Sequence, residues 1–287
     1  MMILDGKKLA QHKFTHLKER VEACKAKLGR APHLSVLLVG EDPASHVYVK
    51  NKAKACESVG LGSEVIRLPE TITVTELKER IAALNQAEDV DGFLIQMPLP
   101  KTLSGFDPTD LVLAEKDVDG LTSINMGLMQ KQESWHEPCT PEGVMEILKF
   151  YNISVAGKKA VVIGRSATVG WPMAFMLTRA NATVTVCHSK TPDLKFYTQD
   201  ADIVVAAAGV PHILGAEHLK EGAIVVDVGI HKNPNGKGLI GDVDFEQVKH
   251  KVAAITPVPG GVGPMTVAQL IEHTVVAAER KIKRREA

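Results

Sequence analysis

Ser45, Tyr48 and Lys52 stand at i, i+3 and i+7, a spacing that puts a hydroxyl, a phenol and an amine on one face of a helix. Such a face can handle protons, because a lysine relieved of its charge is a base at neutral pH. Taken alone, a Tyr and Lys one turn apart on a surface helix are structural more often than catalytic. Gln96-Met97-Pro98-Leu99-Pro100 follows an apolar run, and its two prolines force a rigid, extended exit on which the Gln96 amide is presented. Lys116-Asp117-Val118-Asp119-Gly120 adds two carboxylates in a loop-like stretch. No His or third acid accompanies them at ligand spacing, so no metal site is expected; they read as acceptors for a ligand or as turn residues.

A second set has the chemistry of a nucleotide site. The apolar run Ala160-Val161-Val162-Ile163 leads into Gly164-Arg165-Ser166-Ala167-Thr168-Val169-Gly170 and then a helical pattern. In a strand, glycine turn and helix, the first helical amides and the helix dipole favour an anion such as a pyrophosphate. Ser166 stands where G-x-G-x-x-G has its second glycine, and Gly170 falls one residue late, so a purely structural turn stays open. The next run ends Val186-Cys187-His188-Ser189-Lys190, with no acid to hold a ribose 2′-hydroxyl. Arg165, Ser189 and Lys190 offer cations and a hydroxyl to a 2′-phosphate, which favours NADP over NAD; solvated loop residues are the alternative. Thr256-Pro257-Val258-Pro259-Gly260-Gly261-Val262-Gly263-Pro264-Met265-Thr266 is a rigid clamp or a linker, placed at the mouth of the cofactor crevice if the sheet is doubly wound.

These groups need a scaffold, and the apolar patterning supplies one. Strands are expected at residues 34–39, 64–68 and 92–96, with helices at about 5–27, 44–59 and 75–85. After Pro138-Cys139-Thr140-Pro141, where Thr140 is expected to cap a helix starting at Pro141, strands follow at 160–163, 183–187, 203–207 and 223–228. Residues 253–255 are a candidate fifth, and about 266–283 form a last helix. Strands alternating with helices predict an α/β fold with parallel sheets. The composition agrees: 45% hydrophobic residues but only 4% aromatic leaves Val, Ile, Leu and Ala to fill the core.

Length and charge bound the rest. At 287 residues the chain has room for about two domains. The 34 basic side chains cancel the 34 acidic ones, which speaks against disorder and against a general affinity for nucleic acid. No apolar run reaches the ~18 residues of a membrane span, and the charged N-terminus does not resemble a signal peptide. The widely spaced Cys24, Cys56, Cys139 and Cys187 form no C-x-x-C motif and fit reduced thiols in a cytoplasm. The basic end, Arg280 to Arg285, fits a solvated last helical turn.

Taken together and in order, Tyr48-Val49-Lys50-Asn51-Lys52, Gln96-Met97-Pro98-Leu99-Pro100, Lys116-Asp117-Val118-Asp119-Gly120, Pro138-Cys139-Thr140-Pro141, Gly164-Arg165-Ser166 and Pro257-Val258-Pro259-Gly260-Gly261-Val262-Gly263-Pro264 closely resemble the bacterial FolD type of bifunctional methylenetetrahydrofolate dehydrogenase and methenyltetrahydrofolate cyclohydrolase. The resemblance implies a folate-binding catalytic domain from residues 1–138 plus 266–287. It also implies a Rossmann-like, doubly wound NADP domain from 139–265, a cytoplasmic homodimer, a folate cleft between the domains and a place in one-carbon and purine metabolism. By the same resemblance Lys52, Tyr48 and Gln96 are catalytic, and Asp119, Pro259, Gly260 and Gly261 join them in binding tetrahydrofolate one-carbon derivatives. Gly164, Arg165, Ser166, Gly170, Ser189 and Ile230 would bind the cofactor. Two other readings share parts of this layout: a shikimate-type NADP dehydrogenase, and a folate-binding protein without turnover.

Overall fold

The computed structural model describes residues 1–234 and 236–286, so Ala287, the end of the expected folate-domain segment, lies outside the described residues. In chain order the elements begin with β1 (Met2–Ile3), α1 (Gly6–Leu28), β2 (His33–Val39), α2 (Pro43–Val59), β3 (Gly62–Leu68), α3 (Val74–Gln86), β4 (Gly92–Ile95) and α4 (Ser123–Met129). They continue with α5 (Cys139–Phe150), β5 (Lys159–Ile163), α6 (Gly170–Arg179), β6 (Thr183–Cys187), α7 (Leu194–Thr198), β7 (Ile203–Ala206) and β8 (Ile224–Asp227). Last come β9 (His231–Lys232), β10 (Leu239–Ile240), α8 (Phe245–Val248), β11 (Ala254–Ile255) and α9 (Val262–Glu286).

The chain divides into two compact units, His12–Cys139 with Val267–Ala287, and Met1–Gln11 with Thr140–Thr266. This departs at the N-terminus from the expected division, which put residues 1–11 with the first half. The reason is β1: Met2 and Ile3 pair in parallel with Ala254 and Ile255 and form the edge of the second unit's sheet.

The first unit is built on a parallel sheet in the order β3-β2-β4. The central strand β2 has the alternation that burial on both faces requires. Leu34, Val36 and Leu38 pack with Val49 and Cys56 of α2, Val21 of α1 and Ile271 of α9, while Leu37 and Val39 pack with Leu77, Ile81 and Leu84 of α3. A parallel bridge from Phe93 to Asp117 lays the segment around Asp119 beside β4.

The second unit carries a six-stranded sheet, β1-β11-β8-β7-β5-β6, parallel throughout. Val161, Ile163, Val204, Ala206 and Val225 pack with Val248 of α8 and Leu194 of α7, while α6 buries Met173, Met176 and Leu177 and lies on β5 and β6. The order reverses at β5: the chain runs from β5 through α6 to β6, then crosses back to β7 on the other side. That is the doubly wound arrangement, with its switch point between β5 and β7.

Two expected helix starts move. α5 begins at Cys139, so Thr140 is not its cap; Thr140 Oγ1 instead meets Thr266 Oγ1 at 3.0 Å. α9 begins at Val262 rather than near 266, because Pro264 falls in the first turn, where its missing N–H costs nothing.

Candidate functional site

The first half of the site rests on α2. Asp42 caps this helix by accepting from the Ser45 N–H at 2.7 Å, Pro43 opens it, and Gly60 closes it in the left-handed conformation. Lys52 Nζ donates to Gln96 Oε1 at 3.1 Å. Gln96 follows β4 directly and extends its ladder, with its backbone N–H on Leu37 O at 2.8 Å. Its side-chain Nε2 donates to Met97 O at 2.8 Å, which fixes the amide so that its oxygen faces Lys52. Burial disfavours the ammonium and pushes the Lys52 pKa below the usual lysine value, with the charge of Asp119 pulling the other way. Tyr48, one turn earlier, is 43% exposed. Ser45 Oγ, on the same face, is buried and has no hydrogen-bond partner among the described residues.

The paired carboxylates separate into two roles. Asp117 is consumed by its own loop: Oδ1 accepts from Gly120 N–H at 2.9 Å, and Oδ2 from Thr122 N–H at 2.7 Å and the Asn125 side-chain Nδ2 at 2.9 Å. Lys116 is structural too, donating to Leu84 O at 2.8 Å and Ala87 O at 2.6 Å, where the last carbonyls of α3 need donors. Asp119 instead interacts electrostatically with Lys52. Burial raises its pKa and Lys52 opposes that rise, while the nearby Cys139 thiol donates to Val118 O at 3.2 Å. Cys139 Sγ also lies 3.5 Å from His273 Nδ1, which is 2.8 Å from Val118 O. The structure thus gathers Lys52, Gln96 and Asp119 in one unit, with Cys139 and His273 as neighbours. The role of His273 had no signal in its own stretch of sequence; it comes from α9, far along the chain.

In the other unit the glycine turn sits at the switch point. Gly164 has φ 120° and no room for a side chain, since a Cβ there would lie 2.1 Å from Ala207 O at the end of β7. Gly170 is one residue late for the usual fingerprint yet does the packing job, as its Cβ would lie 2.3 Å from Gly164 O. Ser166 replaces a glycine with a capping group: its Oγ accepts from Val169 N–H at 3.1 Å and Gly170 N–H at 3.3 Å at the start of α6. Ile163 and Cys187 are in register, and Gly164 N–H bonds Cys187 O at 2.8 Å. Arg165 and Ser189 therefore leave neighbouring strand ends, both exposed, and no acid ends β6. A tight glycine turn, a switch-point crevice and cations without a ribose-binding acid fit NADP. Ile230 is 40% exposed just beyond β8. Pro259, Gly260 and Gly261 belong to this unit, not to that of Lys52, and Gly260 O accepts from Lys7 N–H at 3.0 Å.

Comparison with known proteins gives this geometry its family. Residues 4–119 match the profile of the tetrahydrofolate dehydrogenase/cyclohydrolase catalytic domain, and residues 138–282 match that of the corresponding NAD(P)-binding domain. The chain belongs to the tetrahydrofolate dehydrogenase/cyclohydrolase family. A bifunctional protein FolD of Bdellovibrio bacteriovorus is 52% identical over 283 residues, covering 99% of this chain and 98% of that protein. The crystal structure of the bifunctional FolD methylenetetrahydrofolate dehydrogenase/cyclohydrolase from Campylobacter jejuni superposes with a TM-score of 0.94 at 49% identity, covering 98% of this chain and 99% of that one. The Trypanosoma brucei enzyme, solved with NADP cofactor and inhibitor, gives 0.93 at 35% identity, covering 99% of each chain. Membership in this family sets aside the shikimate-type reading.

Proposed function

We propose that Lys52, Gln96 and Asp119 form the folate site of this enzyme and that the turn after β5 holds its NADP. The chain is an NADP-dependent methylenetetrahydrofolate dehydrogenase and a methenyltetrahydrofolate cyclohydrolase. Oxidation takes a hydride from the methylene carbon, and the lone pairs of its two flanking nitrogens stabilise the cation that remains. NADP, when bound, accepts the hydride. The protein's task in this step is alignment, and no proton has to move.

Hydrolysis is different. Water adds to the methenyl carbon and gives up one proton; the hydroxyl so formed loses its own proton to solvent as the carbonyl forms and one carbon–nitrogen bond breaks, its nitrogen takes up a proton, and 10-formyltetrahydrofolate is released. Lys52, shifted by burial toward its neutral amine, takes the proton from water and returns it to the departing nitrogen. Gln96 holds Nζ in place. Asp119 accepts the pterin's N–H donors, and Tyr48 packs on the folate from its exposed position. Arg165, Ser189 and Lys190 read the 2′-phosphate, while Gly164, Ser166, Gly170 and Ile230 shape the crevice.

The enzyme works as a homodimer on small folates, without nucleic acid or membrane as partner. The net charge of zero supports the first exclusion. Among the described residues no helix is long and apolar enough to cross a membrane. Four buried cysteines, none of them in a disulfide among the described residues, support a reducing, cytoplasmic setting. The observation that carries the reading is the Lys52–Gln96 pair beside Asp119. It is tested by mixing the protein with NADP and methylenetetrahydrofolate and following the methenyl absorbance. A rise followed by accelerated decay is expected; binding without turnover would leave only a folate-binding protein.

A further inference from the structure

Two carboxylates in the nucleotide unit are buried and lie outside every role assigned so far. Asp242, fully enclosed, follows β10, and Asp227 ends β8. Asp242 Oδ2 accepts from two successive backbone amides, Ala208 N–H at 2.7 Å and Gly209 N–H at 2.9 Å, in the loop leaving β7. Its Oδ1 lies 2.7 Å from His231 Nε2, next to Ile230 in the segment leaving β8. One side chain therefore ties together the exits of β7 and β8.

The arrangement is held from behind and has no slack. Asp227 Oδ1 accepts from Asp242 N–H at 3.0 Å and Gly229 N–H at 2.9 Å, and its Oδ2 from Val243 N–H at 2.9 Å. A Cβ on Gly229 would lie 2.2 Å from Asp242 Oδ1, and one on Gly241 1.8 Å from Asp227 Oδ2. Ala207, just before the clamped amides, presents the carbonyl that faces Gly164 across the switch point. The loop that Asp242 grips is thus the wall opposite the glycine turn.

We propose that Asp242 is a positioning residue for NADP, holding both strand exits so that the cofactor meets a preformed crevice. The proposal rests on the assignment of NADP to this unit. His231 is its partner on the β8 side. Both residues belong to the unit that does not contain Lys52, Gln96 and Asp119, so the cyclohydrolase reaction, run on methenyltetrahydrofolate without NADP, serves as an internal control.

The experiment measures NADP binding by titration calorimetry and cyclohydrolase rate for the wild-type chain, Asp242→Ala, Asp242→Asn and His231→Ala. Loss of charge-assisted bonds to the loop should weaken NADP in Asp242→Ala by about tenfold or more, with the cyclohydrolase rate within about twofold of wild type. Asn keeps one oxygen for both amides and should restore most of the affinity. His231→Ala, which frees one loop only and removes a partly exposed ring, should weaken NADP by a smaller factor, and it decides the matter if Asp242→Ala does not fold. NADP affinity within about twofold of wild type in the alanine variants, or a parallel loss of cyclohydrolase activity, would overturn the positioning role. A wild-type chain that binds no NADP would instead overturn the cofactor assignment itself.

Discussion

Lys52 Nζ and Gln96 Oε1 meet at 3.1 Å, joining the interior of α2 to the first residue beyond β4. The contact uses a neutral acceptor where a carboxylate would also have fitted. A carboxylate would hold the lysine as an ammonium; the amide fixes the nitrogen without adding a charge that opposes deprotonation. Burial then lowers the lysine pKa, so the cyclohydrolase rate should rise with pH and level off below the ordinary lysine value of 10.5.

Gln96→Glu tests this choice of acceptor. A carboxylate within hydrogen-bond reach should raise the Lys52 pKa and leave less neutral amine at pH 7, about tenfold less per pK unit. Cyclohydrolase activity should fall and its rise with pH should move to more alkaline values, while NADP-dependent oxidation falls less. An unchanged pH–rate profile would mean that the charge state of Lys52 does not govern hydrolysis.

Asp119→Ala should depress both activities together, because both steps use one bound pterin and this carboxylate accepts its donors. Losing hydrogen bonds to a charged acceptor should weaken folate binding by ~1.5 to 3 kcal/mol. Folate affinity and both rates check it. A drop in only one activity would move Asp119 from binding into chemistry.

Arg165→Ala should cost NADP far more affinity than NAD. The guanidinium leaves the turn next to the end of β6, which carries Ser189 and no acid. A charge-assisted contact to the 2′-phosphate is worth ~1.5 to 3 kcal/mol, and NAD lacks that phosphate. Titration with both cofactors provides the comparison; equal losses would show that Arg165 does not read the phosphate.

The parts legible in the sequence were those with local causes. Apolar runs such as Val161 to Ile163, bounded by glycine and charge, announce parallel strands, and the amphipathic stretch from about 44 to 59 announces α2. The edge strand β1 was not legible, since two exposed residues have no period and take their strand character from β11. The sequence also could not separate Asp117 from Asp119. Only the fold shows that Asp117 is spent on Gly120, Thr122 and Asn125, while Asp119 is left to Lys52. The same holds for Asp242, whose amide partners precede it by more than thirty positions. An acid closing an apolar strand, as in Val225-Val226-Asp227, was the one local sign of that network.

The central claim is that Lys52 belongs to hydrolysis and not to hydride transfer. Lys52→Met keeps most of the stem and removes the amine, so the measurement is to follow methenyltetrahydrofolate formation and decay separately in this one variant. Decay should slow by ~100-fold or more, the usual scale for losing a general acid or base, while NADP-dependent formation survives at least in part. Enzymatic decay at the wild-type rate would contradict the account and return the Tyr48 and Lys52 face of α2 to packing.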